Sequence, residues 1–221
     1  AAAGSAESIR GTLVAVATPV LSFLWVIKTL MAISPLETAH VERYFTWIQS
    51  GFVEIPVELA VDRLTAIMLL VVTGIGSLIH VYASGYMAEE EGYYRFFAYL
   101  NLFMFFMLTL VMANNFLLLF VGWEGVGLCS YLLIGFYYLK KSASTAGNKA
   151  FIVNRVGDFG LALGIFACFM LFKSVQFDAM FAQAKKQLGL VALVRTAADS
   201  NRMATVDFTL RFHAGVEKQL A

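Results

Sequence analysis

The sequence predicts an all-α membrane protein, a bundle of about five transmembrane helices that carries one short surface β-hairpin. Three observations predict it. Hydrophobic residues make up 60% of the 221-residue chain and charged residues only 14%, where a soluble domain carries roughly a quarter. Mean hydropathy is +0.74. The apolar residues gather into five runs, each near the ~20 residues that a helix needs to cross a bilayer core. A net charge of +1 gives no electrostatic case for nucleic acid as a partner.

Residues 1–11, AAAGSAESIRG, are small and polar. The chain starts with Ala, and the apolar run that follows is too long for the ~7–15-residue core of a signal peptide, so the N-terminus reads as truncated or processed. The membrane region is expected over 12–173, with helices near 12–33, 64–83, 96–113, 116–139 and 149–172. Lys28 lies near the end of the first span, where its charge can snorkel to the interface. Between the first two spans, YFTWIQ and FVEIPVEL show partial alternation around Ser50-Gly51, which predicts a surface β-hairpin over 40–60. Pro56 places its strand at an edge. Asn114 and Asn115 make a tight turn between the third and fourth spans.

Loop charges set orientation. The loop YLKKSASTAGNK holds Lys140, Lys141 and Lys149 and no acid, so it is assigned to the cytoplasm and the hairpin to the opposite side. The loop GYMAEEEGYYR then also falls on the cytoplasmic side, its acids counting little against the lysine and arginine rule. In the 174–221 segment, Phe177, Phe181, Ala184 and Leu188 recur at helical spacing, which predicts a helix lying on the membrane surface. From Arg195 onward the tail is polar and cannot span a bilayer.

The fourth run, LFVGWEGVGLCSYLLIGF, contains one acid, Glu124, and no base. A charged side chain at mid-membrane costs ~2.5–3.5 kcal/mol on insertion scales and is tolerated only where it faces protein or water, or is neutralised. A carboxyl moved out of water binds a proton more readily, which is the specification of a proton carrier. The next run holds Arg155 and Asp158, three apart and on one helix face. At ~1.5 Å per residue, counting from the lysine loop predicts depths of about 22 Å for Glu124, 14 Å for Asp158 and 10 Å for Arg155. The three groups would thus form a stepped set on neighbouring helices. The plain alternative is a static Arg155–Asp158 ion pair, with Glu124 only bonded to a neighbouring helix.

Gly122, Gly125 and Gly127 strip bulk from around the acid, so that a helix or waters can approach. Gly125-Val-Gly127 is not a dinucleotide loop, because Ser130 stands where that pattern requires glycine. Gly160 and Gly164 form a GxxxG pattern, whose ordinary meaning is close helix packing. His80 is either a relay residue or, more ordinarily, an interfacial hydrogen-bonding group. Trp123, Tyr131, Tyr137 and Tyr138 read as packing and interface residues. Cys129 and Cys168 lie in apolar runs without metal-ligand spacing, and no metal site is expected. His40 and His213 lie outside the spans.

The segments SLIHVYASGYM, EEGYYRFFAYLNLF, LLLFVGWEGVGLCSYLLIGFYY and KAFIVNRVGDFGLALGIF, in this order, resemble subunit L of respiratory complex I, the family called NADH dehydrogenase subunit 5 in mitochondria. The resemblance covers about residues 35 to 180. It implies an antiporter-like proton-translocating subunit built from inverted repeats of five helices, in an NADH-quinone oxidoreductase of the bacterial inner membrane. Its partners would be the other membrane subunits of the complex. It implies that Glu124 is the essential glutamate of the fifth family helix and that Arg155 and Asp158 are the RVGD pair of the sixth. NADH, flavin, iron–sulfur clusters and quinone are expected in other subunits and no cofactor in this one. The family continues into a seventh helix, whose buried lysine pairs with the glutamate, and a second repeat. Lys218 lies in too polar a segment to be that lysine, and the chain reads as an N-terminal fragment. Two other readings stand beside this one. A Mrp-type sodium/proton antiporter shares the helix set, although EEGYYRFFAYLNLF favours complex I. A non-conducting structural or assembly fragment is the reading of another class.

Overall fold

The computed structural model describes residues 2–34, 36, 38–51 and 53–187. Six helices and one two-stranded sheet follow in order: α1 (Ala2–Ile33), β1 (His40–Ser50), β2 (Val53–Val61), α2 (Arg63–Tyr86), α3 (Tyr93–Met112), α4 (Phe116–Ile134), α5 (Lys141–Phe172) and α6 (Phe177–Gln187). The helices α1 to α5 are each long and apolar enough to cross a membrane. Most of their large side chains face outward, among them Leu13, Trp25, Leu78, Val156, Phe166 and Met170. Such a surface is stable only against lipid or other apolar protein. The protein is an integral, multi-pass membrane protein. Leu188, the polar tail 195–221, His213 and Lys218 lie outside the described residues.

Local chemistry sets the ends of the elements. Asp62 caps α2, its Oδ1 accepting from the Thr65 amide at 2.7 Å. Gly51 turns the hairpin at φ +56°, a conformation open to glycine at little cost. The β1–β2 register slips beside Pro56, between Thr46 and Ile48, where proline has no amide to give the ladder. Pro19 lies inside α1 and likewise withholds an N–H from the Ala15 carbonyl. Asn101 of α3 supplies a substitute, Nδ2 donating to Ala15 O at 3.2 Å, while the Thr18 hydroxyl bonds Asn101 Oδ1 at 2.9 Å. Lys28 lies over the Trp25 ring at 4.9 Å.

Two helix boundaries differ from the sequence reading, and both differences fall at the lysine loop. The fourth helix ends at Ile134 rather than near 139, with Gly135 as its cap, whose amide makes the last helical bond, to the Tyr131 carbonyl at 2.9 Å. The fifth begins at Lys141 rather than near 149. The polar run KSASTAGN contains no proline and winds as the first turns of α5.

Helices α3 and α4 form a tight antiparallel pair. A Cβ on Gly122 would lie 2.6 Å from the Leu110 backbone nitrogen, and one on Gly125 would lie 2.1 Å from the Phe106 ring. Only glycine permits that approach. Gly127, Gly160 and Gly164 meet nothing within 4 Å among the described residues. The GxxxG pair therefore does not make the close contact expected of it here. The close glycine contact on α5 is instead Gly147, whose Cβ would lie 3.3 Å from the Gly135 backbone.

At the hairpin end the turns are laced together. Ala113 bridges to Leu59 and Asn115 to Gln176. The Asn114 amide donates to Glu58 O at 3.2 Å, and the Phe116 amide to Val175 O at 3.0 Å. Asn115 is fully buried and bonds twice. Its Oδ1 accepts from Leu118 N at 2.8 Å as the cap of α4, and its Nδ2 donates to Pro56 O at 2.9 Å. Phe116 and Phe177 stack edge to face at 4.8 Å, which seats α6 against this layer, while Phe181 stays exposed.

Candidate functional site

Helices α4 and α5 run antiparallel, with Gly147 against Gly135 and the Tyr131 ring 5.3 Å from Phe151. Each residue back along α4 is matched by one forward along α5, so Glu124 falls level with Asp158. Trp123 confirms the register, because its indole Nε1 donates to Asp158 Oδ1 at 2.7 Å. Arg155, one turn from Asp158 on the same face, reaches across to Glu124 Oε2 in an ion pair. Its Nη1 is also 3.7 Å from Asp158 Oδ2, and its guanidinium lies 4.6 Å over the Phe151 ring.

The sequence placed these three residues as a staircase descending from the lysine loop. That is corrected: the two acids are level and Arg155 joins them. The depth count failed because the two helix ends do not mark one level: α5 begins at Lys141, and only Gly147, six residues in, comes against Gly135 at the end of α4. The static Arg155–Asp158 pair is also incomplete, since Arg155 has both acids as partners. Glu124, expected to be buried, keeps 24% of its side chain exposed, whereas Asp158 keeps 7% and Arg155 47%.

Trp123 was read from sequence as a packing residue. It is the hydrogen-bond donor that fixes the buried acid. An indole N–H in the middle of a membrane span needs an acceptor, and its position beside Glu124, far from either interface, was the available signal. His80 is not interfacial either. The helix continues to Tyr86, and the ring is fully buried against Phe97, with centroids 6.1 Å apart. Its Nδ1 bonds Gly76 O at 2.7 Å, and Nε2 has no partner among the described residues. His40 bonds Glu42 at 3.2 Å on the exposed hairpin. Cys129 is buried and Cys168 half-buried, both as free thiols. Among the described residues no group of three histidines, cysteines or acids could hold a metal ion.

The site is thus two carboxylates sharing one guanidinium, with a formal charge of −1 when all three are ionised. One proton neutralises it.

The model of the complex I chain 5 N-terminus matches residues 47–97, and the model of the NADH:quinone oxidoreductase/Mrp antiporter transmembrane region matches 113–212, which includes all four site residues. NADH-quinone oxidoreductase subunit L of Mycobacterium tuberculosis (strain H37Rv) is 53% identical over 147 residues. The chain belongs to the subunit L/chain 5 family of NADH:quinone oxidoreductases. Among other family members, subunit L of Rhodobacter capsulatus is 52% identical over 68% of this chain, and chain 5 of Triticum aestivum 54% over 64%. The chain spans only 22% and 21% of those two relatives, and 23% of the Mycobacterium one. In fold, the family member resembles a chain of the Mrp complex from Dietzia sp. DQ12-45-1b. The TM-score is 0.68 at 22% identity, over 78% of this chain and 18% of that one.

Proposed function

We propose that the chain works as an antiporter-like subunit of an NADH-quinone oxidoreductase, moving protons across the bacterial inner membrane, with Glu124 as the group that takes up and releases the proton. The observation that carries this reading is the Glu124–Arg155–Asp158 cluster, set inside two membrane-spanning helices. Two acids with one base leave a single negative charge that a proton cancels. Asp158 is buried and held by the Trp123 donor, so it serves as the fixed acid. Glu124 is more open, and its partner among the described residues is Arg155, so it serves as the exchanging acid. Arg155 changes its balance between the two as the proton comes and goes. Ion-pair rearrangement of this kind couples proton position to side-chain position without redox chemistry in this chain.

The partners are the other membrane subunits of the complex, and NADH, flavin, iron–sulfur clusters and quinone are held elsewhere in it. Identity of 53% to subunit L, against 22% to the Mrp chain, favours this reading over a Mrp-type antiporter.

The test is proton pumping by the complete complex in vesicles, with Glu124→Gln in this subunit. The amide keeps the shape and still accepts from Arg155 but cannot ionise. Pumping should fall sharply while the complex remains assembled. Pumping at the full rate in the assembled variant would overturn the assignment and leave a scaffold role.

A further inference from the structure

A second polar site lies at the lysine-loop end, away from the acid pair. A cavity of about 210 Å³ opens there between the start of α3, the end of α4 and the start of α5. Its lining includes Arg95, Tyr99, Tyr131, Tyr138 and Ser144. It adjoins a second cavity of about 410 Å³ that shares Arg95 and Tyr138 and adds Lys140. We propose that this cavity seats the phosphodiester headgroup of a membrane phospholipid, with Arg95 as its anchor and Lys140 at its rim.

Arg95 is the central observation. Among the described residues it forms no ion pair, and its single hydrogen bond is Nη2 to Phe136 O at 3.3 Å. The guanidinium carbon lies 5.0 Å from the centroids of both the Phe136 and Tyr138 rings. The aromatic contacts fix the plane of the group and leave most of its N–H donors unspent. A guanidinium held in this way presents the fork that matches a phosphate bidentately. Tyr99, Tyr131 and Ser144 also line the smaller cavity, which has no acid in its lining. The nearest acids line the larger cavity. Of these, Glu90 accepts from the Tyr137 hydroxyl at 3.1 Å, and neither it nor Glu91 forms an ion pair with Arg95 among the described residues.

Position selects lipid over free phosphate. The cavity lies where three membrane spans end, at headgroup level, on the side that the lysines assign to the cytoplasm. Basic pockets between helices on that side are suited to phospholipid headgroups. Leu139 is 87% exposed and Ile134 45%, which offers apolar contact for acyl chains beside the headgroup.

The experiment uses the complete complex in vesicles of phosphatidylethanolamine and phosphatidylglycerol doped with a phospholipid that carries a photoactivatable headgroup. Crosslinks are mapped by peptide. The peptides spanning residues 93–99 and 131–144 should be labelled, and Arg95→Gln should lower that labelling about tenfold, the equivalent of one lost charged contact. Labelling on the hairpin side should not change. Arg95→Lys, which keeps the charge without the fork, should fall between the two. If Arg95→Gln does not assemble, the Tyr99→Phe/Ser144→Ala pair takes its place, with several-fold loss expected. Labelling unchanged in the variants overturns the proposal. Labelling abolished by millimolar inorganic phosphate overturns the lipid and assigns the cavity to the free anion.

Discussion

Replacing Gly122 by Ala adds one methyl group at the tightest backbone approach between α3 and α4. The added Cβ would lie 2.6 Å from Leu110 N and 2.7 Å from Leu110 Cα. Ordinary contact begins near 3.4 Å, so 3.4 minus 2.6 leaves about 0.8 Å for the helices to part. The obstacle is backbone, and no rotamer change relieves it. Overpacking of this kind costs ~1–3 kcal/mol. Against it stands the ~1 kcal/mol by which Ala is the better helix former. Because the obstacle is backbone, the upper half of the overpacking range applies, ~2–3 kcal/mol, and the net loss is about 1–2 kcal/mol. Gly127→Ala is the matched control, because its Cβ meets nothing within 4 Å among the described residues. There the propensity gain of up to ~1 kcal/mol should act almost alone. The assay is equilibrium unfolding of the full-length subunit in detergent micelles. A Gly122→Ala variant as stable as the parent, or a Gly127→Ala variant less stable than Gly122→Ala, would refute the reasoning.

Trp123→Phe removes the donor to a buried carboxylate and should cost ~1–3 kcal/mol. In an Asp158→Ala background the same change should be nearly silent, and unfolding of the four proteins in a double-mutant cycle would show it. Asp62→Ala should cost about 1 kcal/mol at neutral pH through the lost cap on α2. The Thr65 backbone N–H holds the Asp62 carboxyl below its ordinary value. The folded value is therefore below the unfolded one, so the stabilisation is present above the unfolded value and is lost as pH falls through the folded value. Unfolding measured across that acid range should show the gap between parent and Asp62→Ala closing as the pH drops.

Much of the fold was legible because lipid allows few solutions. Five apolar runs could only be helices, and Ser50-Gly51 between two alternating stretches could only turn a hairpin. The candidate acids were legible too, since a charge inside such a run stands out. Their arrangement was not. GFYYL reads as more membrane helix, yet Gly135 ends α4 before it. KSASTAGN reads as loop, yet it begins α5. Hydropathy reports where lipid is, whereas these boundaries depend on backbone hydrogen bonds that leave little trace in composition. The two helices do not start at one level either, since Gly147, six residues into α5, lies against Gly135 at the end of α4, so depths counted from each end turned a level pair of acids into a staircase. Trp123 and Arg95 escaped for a related reason, because each takes its meaning from a residue distant in sequence.

The junction of α3 and α4 also bears on how the protein enters the bilayer. Only residues 113–115 separate two helices of 20 and 19 residues. A connection that short cannot hold one helix across the membrane while the other waits in water. The two insert together as one hairpin, carrying Asn114 and Asn115 across the hydrocarbon before the 175–177 segment, which follows in the chain, can pair with them. Asn115 keeps its local bond to the Leu118 amide on the way, and the bonds to the 175–177 segment form only after arrival. Each later contact then acts as a latch against the hairpin slipping back.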